Sequence, residues 1–224
     1  MAELQPTSQH RRTVIFLHGR DSNALEFSEE FLESQASNDL TLPEIFTDTK
    51  WLFPTALMIT SSRFGCEMSQ WFDMHSTEDP HDREYEQDLI PAMEQIQEII
   101  ALEAEIVGAG NVVLGGISQG CAVAIHALLR AHLRLGGFIG LCGWMPRRDE
   151  ITTMSTEEAK KTPGLLCHAQ DDDVVNVRFG GELRDLLIAI GMKVRWQEYP
   201  DGGHWVNEPR GVDDMVSFLK SVSG

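Results

Sequence analysis

The sequence predicts an α/β protein with one mostly parallel central sheet and helices on both faces. Strand and helix patterns alternate along nearly the whole chain, and the strands are continuous apolar runs, which is typical of strands buried on both faces. A length of 224 residues fits one domain. Residues 13–224 are therefore predicted to form a single domain, preceded by a flexible, polar lead-in at residues 1–12.

The first half of the chain carries three predicted strands and two predicted helices. The strands are expected at residues 13–18, 51–53 and 111–115, and the helices at residues 24–33 and 84–107. Pro91 lies inside the second helical pattern, so this helix is expected to start near Asp88 or to kink. Residues 55–83 have no sustained period, and a connection of that length in a compact domain indicates a functional loop.

The second half of the chain continues the alternation. Strands are predicted at residues 136–141, 164–168 and 193–199, and helices at residues 119–133, 177–190 and 208–222. One or two further helical turns are expected at residues 156–160. This order gives the parallel sheet its crossover helices.

Composition limits the classes of partner. A net charge of −17 and a pI near 4.7 argue against nucleic acid or anionic membrane as the main partner. No apolar run approaches the roughly 18 residues of a membrane span, and no secretory signal is visible at the start of the chain. The expectation is a cytoplasmic protein without a membrane span. The cysteines are expected to be reduced, packed thiols rather than disulfides or metal ligands, namely Cys66, Cys121, Cys142 and Cys167.

The motif Gly116-Ile117-Ser118-Gln119-Gly120 lies between a predicted strand and a predicted helix. A G-x-S-x-G turn in that context forces its serine into a strained conformation and exposes the hydroxyl at the helix N-terminus. There the helix dipole and the free N–H groups favour developing negative charge. A bare motif arises by chance, but this context favours a nucleophilic Ser118 over a structural turn.

A serine nucleophile needs a base within hydrogen-bond reach. Beyond Ser118, His126 and His132 lie in the following helical pattern, whereas His168 ends a predicted strand and His204 follows one. His204 lies in a glycine-rich loop between the last strand and the last helix, from where an imidazole can reach back to the serine. We therefore predict His204 as the general base.

The base in turn needs an acid that orients it. Asp171, Asp172 and Asp173 follow the strand that carries His168, and they stand between serine and histidine in the order that this class of triad requires. One of the three is predicted to contact His204, and the chain order alone leaves open which one.

Acyl transfer also needs donors for the oxyanion. The backbone N–H of Gln119 is the first predicted donor, because it follows the nucleophile. The second is assigned to the backbone N–H of Arg20, in the loop after the first strand, where Gly19 allows a close approach. His18 is expected to be structural rather than a second base.

Six motifs in this order resemble the acyl-protein thioesterase/lysophospholipase branch of the carboxylesterase family, in the α/β-hydrolase superfamily. They are Leu17-His18-Gly19, Trp71-Phe72-Asp73, Leu114-Gly115-Gly116-Ile117-Ser118-Gln119-Gly120, Trp144-Met145-Pro146, His168 to Val175, and Gly203-His204. The resemblance covers about residues 13–220. In the family pattern His-Gly-x-x-Asp-x-x-Val the catalytic aspartate is the fifth residue, so the resemblance implies Asp172 as the acid.

The resemblance implies a serine hydrolase that cleaves carboxylic esters or thioesters with an apolar acyl group through an acyl-enzyme. Its substrate would be a small-molecule ester, a lipid ester or an acylated protein, and a homodimer is left open. No metal and no organic cofactor is implied, because the triad and the oxyanion donors supply the chemistry.

The resemblance also implies where the acyl group binds. In relatives the segment before Trp-Phe-Asp forms a flap that lines an acyl tunnel, which points here to Leu57, Met58, Ile59, Phe64 and Met68. Ordinary core packing under a long loop is an equal alternative for this set. Trp71 and Trp144 are also assigned to the acyl site, although for Trp71 packing beside the catalytic turn is the stronger expectation.

One departure from the family pattern bears on the substrate. Relatives read His-Gly-x-Gly-Asp, whereas this chain has Gly19-Arg20-Asp21-Ser22, which puts charge and bulk near the oxyanion loop. An esterase or lactonase for short-chain or specialised-metabolite substrates is therefore an alternative. A non-catalytic binding protein on the same scaffold is a second alternative, which the intact triad opposes.

Overall fold

Nine strands are present in the computed structural model, which describes residues 1–222. They are β1 (Ala2–Leu4), β2 (Arg12–Leu17), β3 (Thr49–Phe53), β4 (Met58–Thr60), β5 (Glu67–Ser69), β6 (Val112–Ile117), β7 (Gly137–Leu141), β8 (Gly164–Ala169) and β9 (Val194–Tyr199). Seven of them form one sheet in the order β1-β3-β2-β6-β7-β8-β9, and β4 pairs with β5 in a separate hairpin. Within the large sheet only the β1–β3 pair is antiparallel, so the predicted, mostly parallel sheet is confirmed.

Helices cover both faces of this sheet, as predicted. They are α1 (Ala24–Glu33), α2 (Leu42–Ile45), α3 (Ile90–Val107), α4 (Gln119–Leu129), α5 (Ile151–Met154), α6 (Val177–Ala189) and α7 (Arg210–Ser221). One apolar cluster contains the buried sides of α3, α4 and α6, and the other contains those of α1 and α7. Within residues 1–222, no helix combines the length and apolar character needed to cross a bilayer.

The start of the chain differs from the prediction of a flexible lead-in. Residues 2–4 form β1, which pairs with β3 so that Ala2 lies opposite Phe53 and Leu4 opposite Trp51. The backbone of β3 offers unpaired N–H and C=O groups at that edge, and a strand can add there without an apolar run of its own. At the other end, residues 223 and 224 of the predicted domain lie outside the described residues.

Two other segments also differ from the predicted pattern. Residues 55–83, predicted as an irregular connection, contain the β4–β5 hairpin, whose three-residue strands are too short to give a period. The helical turns expected at residues 156–160 are replaced by α5 and by a 3₁₀ turn at Ala159–Lys161. By contrast, α3 begins at Ile90, with Pro91 in its first turn, close to the predicted start near Asp88.

Helix α4 begins against the carboxyl end of β2, and Gly120 makes this contact possible. A Cβ atom on Gly120 would lie 2.4 Å from the carbonyl oxygen of His18 and 2.5 Å from that of Leu17. Both are backbone atoms, so neither can turn aside as a side chain could. The absence of a side chain at residue 120 therefore sets the distance between α4 and the loop after β2.

Helix α4 is buried along its whole length, so its polar side chains need internal partners. His126 Nε2 donates to the carbonyl oxygen of Pro146 at 2.8 Å, and Nδ1 accepts from Arg130 Nη1 at 2.7 Å. Burial lowers the pKa of His126 to about 4; the bond to Pro146 opposes the shift, and the charges of Arg130 and Arg147 add to it. A neutral His126 is thus a structural member of α4.

We predict that Gly120→Ala destabilises the protein by about 1–3 kcal/mol, since the added methyl group forces α4 away from β2. Gly181→Ala is the matched control, because its Cβ would meet only the tip of Arg184 at 4.0 Å and the residue lies within α6. That control is expected to be neutral or stabilising by up to about 1 kcal/mol. Chemical denaturation measures both values. Equal stability of Gly120→Ala and wild type would show that α4 is free to shift.

We also predict a pH-dependent contribution from His126. In the unfolded chain a histidine has a pKa near 6.5, whereas the pKa of His126 in the folded protein is about 4. Between these values the unfolded state binds more protons, so stability falls as the pH falls, by on the order of 3 kcal/mol from this group. Replacing His126 by Gln should reduce the loss of stability between pH 6.5 and pH 4. Replacing the exposed His132 by Gln should leave that loss unchanged. Denaturation curves at several pH values measure the slopes; parallel slopes for His126→Gln and wild type would contradict the assignment.

Candidate active site

Ser118 stands between β6 and α4 in a strained backbone conformation. Its φ is +56° and its ψ is −125°, a combination that is rare for a residue with a side chain. The Ser118 N–H donates to the carbonyl oxygen of Leu141 at 2.9 Å, which ties the turn to β7. Gly116 leaves room for the turn, since a Cβ there would lie 2.5 Å from the backbone of Gly120. This is the geometry that exposes a nucleophile at a helix N-terminus.

Asp172 and His204 are hydrogen-bonded. His204 Nδ1 lies 2.8 Å from Asp172 Oδ2, and Asp172 is almost fully buried. The second oxygen, Oδ1, accepts from the backbone N–H groups of Val174 and Val175 at 2.9 and 2.8 Å. His168, at the end of β8, adds a further contact, with its Nε2 3.0 Å from Oδ2. The carboxylate is therefore surrounded by donors on both oxygens.

These contacts keep Asp172 ionised. Burial alone disfavours the charge, but the hydrogen bonds from His168, His204 and the Val175 N–H outweigh burial and hold the pKa of Asp172 well below its usual range. An ionised carboxylate only accepts hydrogen bonds, so the proton of this pair is on His204 Nδ1. The other ring nitrogen, Nε2, is left as the basic atom.

The neighbouring aspartates have different surroundings. Asp171 accepts from the backbone N–H groups of Gly203 at 2.8 Å and Gly202 at 3.3 Å, in the loop that carries His204. Asp173 is exposed. Neither the contact of Asp171 with the loop that carries His204 nor the contact of His168 with Asp172 was predicted from the sequence. Three adjacent carboxylates are chemically alike, and only the turn after β8 decides which way each one points.

Ser118 and His204 line the same cavity, with a volume of about 280 Å³. It opens at the edge where β2, β6, β8 and β9 end, which is where ligands bind in parallel sheets. The other lining residues are Gly19, Arg20, Ser22, Phe27, Glu30, Met74, Thr77, Ile117, Val174 and Trp205. The structure thus brings together the predicted nucleophile, the predicted base and the loop that was assigned the second oxyanion donor.

The loop after β2 is held rigidly beside Ser118. A Cβ atom on Gly19 would lie 3.6 Å from Ser118 Cβ. His18 Nδ1 donates to the carbonyl oxygen of Gly19 at 2.7 Å, and His18 Nε2 accepts from the Ala56 N–H at 3.2 Å. Burial lowers the pKa of His18, which suits this neutral ring. The contacts agree with the structural role expected for His18.

The side chain of Gln119 holds the segment that follows the hairpin. Its Oε1 accepts from the Trp71 N–H at 2.9 Å, and its Nε2 donates to the carbonyl oxygen of Phe72 at 2.7 Å. The indole N–H of Trp71 donates to the carbonyl oxygen of His18 at 2.8 Å. Trp71 therefore braces the turn at Ser118. The sequence motif predicted a role only for the backbone N–H of Gln119, so the contacts of its side-chain amide were not predicted.

The predicted acyl-binding residues lie elsewhere. Leu57, Met58 and Phe64 are exposed and Met68 is half-buried, all on or beside the hairpin. Leu57, Ile59 and Trp71 line a second cavity of about 250 Å³, and Trp144 is fully buried with its ring against Phe72. Among the described residues, the apolar wall of the Ser118 cavity is instead Phe27, Met74, Ile117, Val174 and Trp205.

One group of side chains near the triad has the composition of a metal site. Ligand atoms of Cys142, His168 and Asp172 lie within 4.8 Å of one another, and all three residues are buried. However, burial and the charge of Asp172 raise the pKa of the Cys142 thiol well above its ordinary value, whereas metal ligation needs the thiolate. His168 Nε2 is engaged with Asp172 and with the carbonyl oxygen of Val175 at 2.8 Å. These contacts are better suited to orienting the Asp172 carboxylate than to binding a metal ion.

Known proteins are similar to this chain in sequence and in fold. Residues 3–223 match the family described as Phospholipase/Carboxylesterase. Acyl-protein thioesterase 1 of Schizosaccharomyces pombe is 32% identical over 224 residues, which cover 99% of this chain and 95% of the relative. Acyl-protein thioesterase 1 of Cryptococcus neoformans is 29% identical over 237 residues, covering 97% and 94%. The crystal structure of Arabidopsis thaliana SOBER1 has a TM-score of 0.81 at 26% identity and covers 95% of this chain and 99% of that one. The chain therefore has the predicted α/β-hydrolase fold and belongs to the phospholipase/carboxylesterase family.

Proposed function

We propose that this chain is a serine hydrolase that cleaves carboxylic esters or thioesters through Ser118, His204 and Asp172 and a covalent acyl-enzyme. Membership of the family makes it a carboxylic ester or thioester hydrolase. One observation carries the catalytic assignment: Ser118, at a strained turn, shares a cavity with His204, whose Nδ1 is bonded to the buried Asp172.

The geometry supports a two-step mechanism. His204 Nε2 takes the proton of Ser118 as the serine oxygen attacks the substrate carbonyl, and the imidazolium then gives that proton to the leaving alcohol or thiol. Water attacks the acyl-enzyme in the second step, with His204 again as the base. Asp172 holds the tautomer and stabilises the charged ring, since its carboxylate stays ionised.

The oxyanion is proposed to bind the backbone N–H groups of Gln119 and Arg20. Gln119 is the first residue of α4, where the helix dipole favours negative charge. Arg20 follows Gly19, which lies against Ser118. Each such donor contributes on the order of 3 kcal/mol to transition-state stabilisation, so the rigidity of this loop matters for rate as well as for folding.

The size of the cavity favours a short or medium acyl group. Ligand sites for drug-sized molecules span roughly 300–1,000 Å³, and the cavity at Ser118 has about 280 Å³. Relatives named acyl-protein thioesterase make an acylated protein a candidate substrate. The cavity volume supports the second candidate, an esterase for short acyl chains, over an enzyme for long acyl chains. The hydrogen bond between His204 and Asp172, together with the cavity that Ser118 and His204 share, opposes a non-catalytic binding protein.

We predict that rates for a matched series of esters and thioesters, from acetyl to palmitoyl, are highest for the short members. The physical reason is that a long chain has to leave the cavity and expose its methylene groups to water. Steady-state kcat/KM across the series is the measurement. Rates that rise steadily up to palmitoyl would mean that the β4–β5 hairpin moves aside and opens a longer channel.

Loss of the nucleophile tests the mechanism itself. Ser118→Ala should lower kcat by at least about ten-thousand-fold and should abolish labelling by a fluorophosphonate probe. Ser22→Ala is the matched control, because Ser22 lines the same cavity outside the triad, and this variant should still be labelled. Hydrolysis that persists in a folded Ser118→Ala protein would contradict the proposal that an acyl-enzyme forms on Ser118.

The three adjacent aspartates provide a graded test of the orienting acid. Asp172→Asn should lower kcat by about ten-thousand-fold, because the amide favours the wrong tautomer of His204. Asp171→Asn should cost much less, since it weakens only the support of the Gly202-Gly203 backbone. The exposed Asp173→Asn should match wild type. Initial rates with one short ester compare all three, and equal losses at residues 172 and 173 would contradict the assignment.

A further inference from the structure

Arg20 places an unsatisfied cation at the active-site cavity. The residue lines the cavity that contains Ser118 and His204, and it directly follows the Gly19 that lies against Ser118. Its Nη1 is shielded from water and has no hydrogen-bond partner among residues 1–222. A buried charged donor without a partner is costly, so an anion that reaches Nη1 from the cavity would supply the partner that this donor lacks.

The aromatic ring of Phe64 shields this guanidinium. The Arg20 guanidinium carbon lies 5.4 Å from the centre of that ring, and the one of Arg63 lies 5.2 Å from the same centre. Both arginines thus make cation–π contacts with a single ring on the hairpin. The two differ in surroundings, because Arg63 is exposed and its Nη1 donates to Thr77 Oγ1 at 3.4 Å.

The nearby carboxylates do not neutralise Arg20 by direct pairing. Burial lowers the pKa of Arg20, the charge of Arg63 lowers it further, and Asp21 and Asp73 act in the opposite direction. Among the described residues, neither aspartate forms an ion pair with it. Glu30 also lines the cavity but is exposed, where water screens its charge.

We propose that Arg20 forms an anion-binding subsite within this cavity, so that the preferred substrates are esters or thioesters that carry a carboxylate or a phosphate group. A guanidinium has a planar fork of donors that matches either anion. The inference rests on the proposed hydrolase function and adds a class of substrate to it. In a chain with a net charge of −17, such a local cation offsets the field that would otherwise repel an anionic ligand.

Three phenyl acetates that differ in one para substituent test the subsite: para-acetoxybenzoate, the neutral para-acetoxybenzamide of equal size, and the larger para-acetoxyphenyl phosphate. The measured quantity is kcat/KM for each anion divided by kcat/KM for the amide. In wild type this ratio should be roughly 10 or more, the range expected for a hydrogen-bonded charge. Carboxylate and phosphate are compared directly, and the larger ratio identifies the preferred anion.

Arg20→Met should bring the ratio to about one or below, because it retains the backbone N–H and removes the cation. The ratio cancels any common loss of rate from disturbance of the oxyanion loop. Arg63→Met is the matched control, since it removes the other guanidinium from Phe64, and its ratio should remain close to that of wild type. Arg20→Lys should give an intermediate ratio, because a point charge lacks the fork.

Binding to Ser118→Ala separates this proposal from the hydrolase function. Titration of para-hydroxybenzoate and para-hydroxybenzamide, followed by NMR, should show roughly tenfold tighter binding of the carboxylate, and the preference should be lost when Arg20→Met is added. Equal affinity for the two compounds, or an anion preference that survives Arg20→Met, overturns the subsite even if all three esters are hydrolysed. Carboxylate-selective binding that depends on Arg20 in an enzyme that hydrolyses no ester would keep the subsite and reject the proposed function.

Discussion

The close contact between the start of α4 and the end of β2 is the constraint on which the active site depends. Gly120 has no side chain, so α4 can lie against the carbonyl groups of Leu17 and His18. That contact sets the spacing between the turn at Ser118 and the loop at Gly19. It also brings Gln119 within reach of Trp71, whose indole N–H returns to the His18 carbonyl. The proposed nucleophile, the loop proposed to carry the second oxyanion donor and Trp71 therefore share one backbone arrangement.

The second determinant is a buried charge that the fold keeps ionised. Asp172 lies in a site where burial would normally favour its neutral form, and donors from two histidines and two backbone N–H groups reverse this. The turn after β8 places the two backbone donors, whereas His168 lies in β8 and His204 in the loop after β9. The electrostatics of the proposed base therefore depend on how the ends of these two strands are packed together. His168 is a structural partner of this carboxylate rather than a competitor of His204, because it is fully buried at the end of the strand.

How much the sequence predicts depends on how local each feature is. The strained turn at Ser118 was predictable because strand, glycines and helix are contiguous in the chain. The alternation of apolar runs predicted the parallel sheet. The roles of Asp171 and His168 were not identifiable, because they depend on side-chain directions within one turn. Strands β1, β4 and β5 were missed for another reason: three residues give no period, and their pairing relies on backbone groups of a neighbouring strand.

The way in which the hairpin is attached explains why the residues predicted to bind the acyl group lie outside the Ser118 cavity. The Asp21 N–H donates to the carbonyl oxygen of Ser69 at 2.7 Å, which ties the loop after β2 to β5. Asp21 has a φ of +61°, a conformation that favours glycine and that aspartate tolerates better than most residues. With the hairpin held there, Phe64 lies over Arg20, and Leu57 and Ile59 line a cavity separate from that of Ser118. Room for a long acyl chain and exposure of the Arg20 charge therefore depend on the same attachment. A shift of the hairpin that lengthened the cavity would also remove the ring that shields the guanidinium. The proposed limit on acyl length and the proposed preference for anionic substrates therefore both depend on the position of the hairpin.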